Sequence, residues 1–128
     1  MHRVLISLAA NTCHDLSLMR AHRLLSRFVF PLCCSQRLYT SPAGTAGATR
    51  RYYVNQLLCG VTVCNVAELQ QLLKRTERLL GRTDAQRRQG IVSIDLDLML
   101  FDSERHHLSD WNRDYVVKLL CDTYLPKP

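Results

Sequence analysis

No uninterrupted apolar run in this sequence approaches the roughly 18 residues that a membrane-spanning helix needs. Residues 4–10 are mostly apolar and follow a basic residue, which faintly imitates a signal peptide, but the polar segment 11–15 comes directly after them. We therefore expect a cytoplasmic protein that makes no contact with a membrane.

The sequence also lacks the common signatures of disulfide frameworks, zinc sites and P-loops. Its 6 cysteines include the adjacent pair Cys33 and Cys34, and none of their spacings matches a zinc site or a redox pair. We interpret them as reduced thiols that behave as small hydrophobic residues. A Walker A pattern and a glycine-rich kinase loop are both absent, so any nucleotide site must be of another kind.

What is present is a chain of single-domain length with an excess of positive charge. Its 128 residues, 47% hydrophobic and 22% charged, are sufficient for one domain over residues 1–128 with a modest core. The net charge of +6 favours anionic partners such as nucleotides, phosphates or nucleic acid. Basic residues are concentrated between Lys74 and Arg88, where Glu77 and Asp84 are the only acids.

Two carboxylates interrupt an apolar run at residues 94–101 that has the pattern of a central strand. Because side chains alternate in a strand, Asp95 and Asp97 are predicted to point to one face. The opposite face is then wholly apolar, with Val92, Ile94, Leu96, Leu98 and Leu100. A buried charge is costly unless it is paired or bound to a metal, so we favour a divalent-cation site. The alternative is that both carboxylates face solvent on an open sheet.

The hydrophobic pattern gives the element order β-α-β-β-α-β-α. Strands are predicted over residues 4–10, 32–40, 52–63 and the aspartate-bearing run, and helices over 16–28, 66–80 and 111–124, with Asp15, Asn65 and Asp110 as N-caps. This order fits a ferredoxin-like α+β sandwich, with an antiparallel sheet that carries its helices on one face. The other face would be free for ligands and for the long loop at residues 41–50.

Three groups of residues could then share the free face. The aspartate pair suits Mg²⁺ that shares its shell with substrate phosphates. Arg82 and Arg88 could bind phosphate oxygens in a bidentate manner, although a solvated helix end would give the same charge run. Tyr53 and Asn55, two apart on one strand face, suit a flat heterocycle, although Tyr53 alone would more often be a core residue.

These residues resemble the 6-hydroxymethyl-7,8-dihydropterin pyrophosphokinase family of folate biosynthesis, and the likeness runs from residue 4 to about residue 115. Its signature is the Asp-Leu-Asp strand, preceded by Glu77, Gly81-Arg82 and Arg88. Residues 39–44 are similar to the family's Tyr-x-Thr-Pro loop, and Tyr53-Val54-Asn55 matches its Tyr-x-Asn. The resemblance implies the ferredoxin-like fold and a monomer.

The resemblance also implies a reaction. The hydroxymethyl oxygen of the pterin attacks the β-phosphorus of ATP, so that pyrophosphate is transferred and AMP is released. Asp95 and Asp97 would hold two Mg²⁺ ions that bridge the ATP phosphates, and Asp97 would help to take the hydroxyl proton.

The family's binding residues are carried over position by position. Asn55 would hydrogen-bond the pterin edge, and Tyr53 and Tyr115 would stack on its two faces. The other pterin contacts implied are Ser41, Pro42 and Ala43. The ATP contacts implied are Arg82, Arg88, Arg113 and Glu77, of which Arg82 and Arg88 would also be catalytic together with Asp97.

The chain departs from the family at several positions. The family's opening Gly-Ser-Asn is Ala9-Ala10-Asn11, a second arginine after Gly-Arg is Asp84, and the last arginine of the mobile loop is Val92. These changes keep open a noncatalytic pterin- or nucleotide-binding protein with the same fold. A nucleic-acid-binding module is a third reading, but it needs several exposed sheet aromatics. Only Tyr53 and Phe101 qualify, so we expect no nucleic acid.

Overall fold

A computed structural model describes residues 1–41 and 51–122. The strands are β1 (His2–Ala10), β2 (Phe30–Cys34), β3 (Leu38–Thr40), β4 (Tyr53–Thr62), β5 (Asp95–Phe101) and β6 (Glu104–Arg105). The helices are α1 (His14–Leu25), α2 (Val66–Leu79), α3 (Asp84–Arg88) and α4 (Asp114–Asp122), and a 3₁₀ segment covers Leu108–Asn112. None of the helices in these two ranges is long and apolar enough to cross a membrane.

The strands form one antiparallel sheet in the order β2-β4-β1-β5-β6, and β3 also pairs with β4. The chain passes from β1 through α1 to β2, and from β4 through α2 to β5, so each crossover skips one strand. Two such interleaved β-α-β units define the ferredoxin-like α+β fold, which confirms the predicted fold class.

Apolar side chains fill both faces of this sheet. One face packs Ile6, Leu8, Leu58 and their neighbours against the buried stripes of α1 and α2. The other face packs Leu5, Leu57 and Met99 against Trp111 of the 3₁₀ segment and Val116 and Leu119 of α4. The face predicted to be free is therefore partly covered, because the last helix is also amphipathic and has its own stripe to bury.

A bulge in β5 changes the predicted alternation. The pairing register between β1 and β5 shifts between Leu5 and Ile6, which face Leu100 and Leu98. The extra residue lies at Met99, so Met99 and Leu100 both belong to the core cluster under α4, whereas Leu96 and Leu98 belong to the cluster under α1 and α2. The prediction that Leu100 shares a face with Leu96 is therefore wrong.

Only one of the three predicted N-caps is observed. Asn65 forms a capping box with Glu68 at the start of α2. By contrast, α1 starts after Cys13 and includes Asp15 in its first turn, where Asp15 pairs with Arg37. Asp110 lies within the 3₁₀ segment rather than at the start of the final helix.

Several element bounds also differ from prediction, since α1 ends at Leu25 rather than at residue 28 and α4 begins at Asp114 rather than at residue 111. The second strand is split into β2 and β3, and the polar segment after α2 contains the short helix α3, with Thr83 accepting a hydrogen bond from the Gln86 amide as its N-cap. Gly81 has a φ of 97°, a left-handed conformation that glycine adopts without strain, and this ends α2 as expected.

Candidate active site

The two aspartates lie on the β5 edge of the sheet, on the face that carries α4. Asp95 pairs with Ala9 of β1 and Asp97 pairs with Ser7, so both side chains point the same way. Their side chains are 36% and 32% exposed, which places them in a partly desolvated position open to a ligand. The predicted alternation at these two residues is present because the bulge lies beyond them.

The surroundings of Asp97 favour a bound cation. Burial, and after it the charge of Asp95, raise the pKa of Asp97 to about 6, while His107 and Arg82 act in the opposite direction. No group of three or more histidine, cysteine or acidic side chains in residues 1–41 and 51–122 could hold a metal alone. Mg²⁺ commonly uses one or two carboxylates together with substrate phosphates, so this pair fits it.

Arg82 is directed at the aspartate pair by the turn at Gly81. Its Nη1 donates to Asp95 Oδ1 at 2.7 Å and to the carbonyl of Ile94 at 3.3 Å, and it lies 3.4 Å from Glu77 Oε2. Burial disfavours the charged guanidinium, but the neighbouring carboxylates of Asp95 and Glu77 prevail and raise the pKa of Arg82. Arg82 is therefore a cation in direct contact with one of the two aspartates predicted to bind metal.

Glu77 joins α2 to the aspartate strand. Its Oε2 accepts a hydrogen bond from the Leu96 amide at 2.8 Å, and its side chain is only 13% exposed. Burial, together with the neighbouring Asp95, raises the pKa of Glu77 to about 7, although the Leu96 amide and Arg82 oppose the rise. The carboxylate thus anchors β5 and Arg82 to α2. The contact of Glu77 with ATP that the resemblance implies stays a prediction.

A cavity of about 270 Å³ lies beside Asp95, and we call it the Asn55 cavity. Its lining residues are Ala9, Thr40, Ser41, Tyr53, Asn55, Asp95, Arg113 and Tyr115. Asn55 is 3% exposed and donates through Nδ2 to the Leu38 carbonyl at 3.1 Å and to Thr40 Oγ1 at 2.9 Å. These two bonds fix the orientation of the amide on the cavity wall. The predicted contacts Pro42 and Ala43 lie outside the described residues.

Two further cavities neighbour the first. The Asp97 cavity, of about 330 Å³, is lined by Gln70, Leu73, Lys74, Glu77, Asp95, Leu96, Asp97, Leu98 and His107. The Arg82 cavity, of about 250 Å³, is lined by Lys74, Glu77, Arg78, Arg82, Asp84 and Arg87. Asp95 is common to the first two cavities, and Lys74 and Glu77 are common to the last two. The three cavities therefore neighbour one another, and we call the row that they form the channel; its lining changes from aromatic and amide to carboxylate and then to cationic.

Two predicted arginines lie elsewhere than the sequence suggested. Arg88 is exposed on α3, and it is Arg87 that lines the Arg82 cavity. Arg113 pairs with Asp110 at 3.0 Å and lines the Asn55 cavity beside Tyr115, rather than the cationic end of the channel.

Three residues of this region were not among the predicted site residues. His107 lies 3.8 Å from Asp97 and 3.9 Å from Asp110, and its φ of 52° is a left-handed conformation that is uncommon in histidine. Lys74 lies four residues after Gln70 and three residues before Glu77, so the three side chains share one face of a helix. This spacing is the signal that could have identified Lys74. Asn11 tethers the segment before β5 through bonds to the Gly90 carbonyl and the Val92 amide.

Comparisons with known proteins found a family model and solved structures that are similar to this chain. The model of the 7,8-dihydro-6-hydroxymethylpterin-pyrophosphokinase (HPPK) family matches residues 5–124. A solved structure of a Plasmodium falciparum HPPK-DHPS triple mutant with STZ-DHP is similar in fold, with a TM-score of 0.57 at 12% identity. The match covers 79% of this chain but spans only 28% of that one. No curated protein matches the chain.

Proposed function

The chain belongs to the 7,8-dihydro-6-hydroxymethylpterin-pyrophosphokinase family, and we propose that it transfers pyrophosphate from ATP to 6-hydroxymethyl-7,8-dihydropterin, releasing AMP, in folate biosynthesis. The observation that carries the proposal is the channel through the three cavities, which offers a heterocycle site, a carboxylate pair and a cationic end in that order. A flat acceptor and a polyphosphate donor would meet at Asp95, the residue common to the first two cavities.

The acceptor belongs in the Asn55 cavity. Tyr53 and Tyr115 supply aromatic surface, and the Asn55 amide is held by the Leu38 and Thr40 bonds so that it can pair with the pterin edge. Ser41 lines the same cavity. Pro42 and Ala43 are assigned to the pterin site by the family resemblance.

Asp95 and Asp97 would hold Mg²⁺, with two ions shared with ATP as the resemblance implies. When bound, Mg²⁺ neutralises phosphate charge and aligns the donor. The chain's own contribution is to present two half-buried carboxylates side by side, with Asp97 able to take the hydroxyl proton as the acceptor oxygen bonds to the β-phosphorus and AMP departs.

The triphosphate would extend along the cationic end of the channel. Arg82 would exchange its bond to Asp95 for phosphate oxygens, and Lys74 and Arg87 line the same path. The resemblance assigns phosphate contacts to Arg88 and Arg113 as well. To make these contacts, α3 and the segment before α4 would have to turn the two side chains toward the triphosphate. Glu77 would position Arg82 and β5 for this contact.

We also propose that the chain acts as a cytoplasmic monomer and uses neither nucleic acid nor a membrane. Cys13, Cys34, Cys59 and Cys64 are free thiols, as is usual in a reducing compartment.

The test is AMP release from Mg-ATP and 6-hydroxymethyl-7,8-dihydropterin by the wild-type chain and by Asp97→Asn. We expect turnover by the wild type and a loss of about a thousandfold in Asp97→Asn, because phosphoryl transfer depends on charge neutralisation. Lys118→Met, an exposed substitution on α4, is the control and should keep full activity. Tight pterin binding without turnover in the wild type would contradict the proposal and indicate a noncatalytic binding protein.

A further inference from the structure

A groove lies between α1 and α2, on the face of the sheet opposite to the Asn55 cavity. It encloses about 320 Å³ and is lined by Leu24, Arg27, Phe28, Leu72, Arg75, Thr76 and Leu79. We call it the α1/α2 groove. Since Asp95, Asp97 and Asn55 point to the other face of the sheet, a partner in this groove would leave the Asn55 cavity and the aspartate pair open.

The interior of the α1/α2 groove is apolar. Leu24, Phe28 and Leu72 are only partly buried, and Leu79 is 67% exposed. The Thr76 hydroxyl at the base already donates to the Leu72 carbonyl at 2.8 Å, so it needs no polar partner. Covering this surface with an apolar side chain would release water at no cost in hydrogen bonds.

The rim of the groove is strongly basic. Arg27 and Arg75 line it, and Arg20 and Arg23 are exposed on α1. Within the described residues none of these four arginines takes part in an ion pair.

The carboxylates nearby have other partners. Asp15 pairs with Arg37, Glu68 completes the capping box of α2, and Glu77 faces Arg82 and the Leu96 amide. The positive field of the rim is therefore not neutralised within the described part of the chain, and it suits an anionic partner.

We propose that the α1/α2 groove docks an acidic amphipathic helix of another protein. An apolar side chain of that helix would fill the space between Leu24 and Leu79, and flanking carboxylates would pair with Arg27 and Arg75. This is helix-in-groove recognition, with affinity from the apolar contact and orientation from the charges.

The shape of the groove distinguishes this partner from other anionic ones. A membrane surface needs a protruding apolar face, whereas the apolar residues here line a depression. A single nucleic-acid strand needs exposed aromatic rings on which bases stack, and Phe28, the aromatic residue of this lining, is half-buried against the core.

The experiment uses the full chain and a fluorescein-labelled peptide of leucine and glutamate, about four helical turns long, with the leucines along one face. We expect saturable binding by fluorescence anisotropy. Arg75→Glu and Leu79→Ser should each weaken it about tenfold or more, the first through charge and the second through apolar contact. Lys118→Glu makes the same change of charge on α4 and should leave the affinity unchanged.

A scrambled peptide of the same composition separates shape from charge. Weaker binding of the scrambled peptide would support docking in the groove, whereas equal binding would overturn the proposal, because charge alone would then be sufficient. Tighter Arg75-dependent binding to vesicles with anionic headgroups, or to a single-stranded oligonucleotide, would also overturn it in favour of those partners. Near-native circular dichroism of each variant shows that lost binding does not reflect unfolding.

Discussion

Asp97 and Glu77 carry raised pKa values for one physical reason, which is that both carboxylates are partly buried close to Asp95. The pKa of Asp97 is raised to about 6 and that of Glu77 to about 7. Three carboxylates this close together repel one another in the absence of a cation, and Arg82 offsets only part of the repulsion. The residues that would bind the metal are therefore also a source of instability in the metal-free protein.

This instability gives a pH dependence with a definite sign. A carboxylate whose folded-state pKa is raised keeps its proton to a higher pH in the folded state than in the unfolded state. Its contribution to stability is therefore present at low pH and is lost as the pH rises through about 6–7. We expect the free energy of unfolding of metal-free protein to fall on the order of 1 kcal/mol between pH 5 and pH 8 from these groups. Urea denaturation in EDTA measures it.

Asp97→Asn removes one of the two titrating groups, and its stability should therefore depend less steeply on pH than that of the wild type. If the two slopes were the same, burial of Asp97 would not be the cause. Adding Mg²⁺ should reduce the slope of the wild type, because the cation stabilises the ionised form that high pH favours.

At the scale of elements, the close approach of β2 to β4 depends on Gly60. A Cβ at this position would lie 2.6 Å from the Phe30 carbonyl oxygen and 2.6 Å from Val29 Cγ1. Since both atoms belong to the start of β2 and the turn before it, an alanine would push that edge strand away from the sheet.

We expect Gly60→Ala to lower the free energy of unfolding by about 2 kcal/mol, in the range typical of overpacked cores. Val63→Ala, at an 81% exposed position just after β4, is the control and should change stability by less than about 0.5 kcal/mol. Urea denaturation compares the two, and similar midpoints would show that β2 can move without cost.

For the whole molecule, the proposed channel predicts that metal and nucleotide stabilise the fold together. The carboxylate pair and the cationic end come from β5, α2 and α3, so a ligand that bridges them would restrain elements far apart in sequence. A ligand that binds only the folded state at a hundredfold excess over its Kd stabilises by about 2.7 kcal/mol.

Thermal denaturation with a nonhydrolysable ATP analogue should thus show a rise in Tm of several degrees when Mg²⁺ is present. Chelation with EDTA should remove most of this rise, and so should Asp95→Asn combined with Asp97→Asn. A rise that did not depend on Mg²⁺ would mean that the analogue binds through the arginines alone.

The sequence by itself determined the features that depend on local periodicity. Alternation of side chains in a strand is sufficient to place Asp95 with Asp97 and Tyr53 with Asn55, and a capping box requires only Asn65 and Glu68. The order of apolar segments, together with the preference for right-handed crossovers, was sufficient for the ferredoxin-like fold.

Only the tertiary structure decided the features that depend on contacts between distant segments. The bulge at Met99 arises from pairing with β1, so strand alternation could not show that Leu100 turns to the other face.

The placement of Arg87 rather than Arg88 follows from α3, which is tethered on its carboxyl side by the bonds of Asn11 to Gly90 and Val92. Likewise, His107 reaches Asp97 and Arg113 reaches the Asn55 cavity because a 3₁₀ segment, packed through Trp111, carries the chain across the sheet. Periodicity describes a segment relative to its own axis, whereas these positions depend on where one segment meets another.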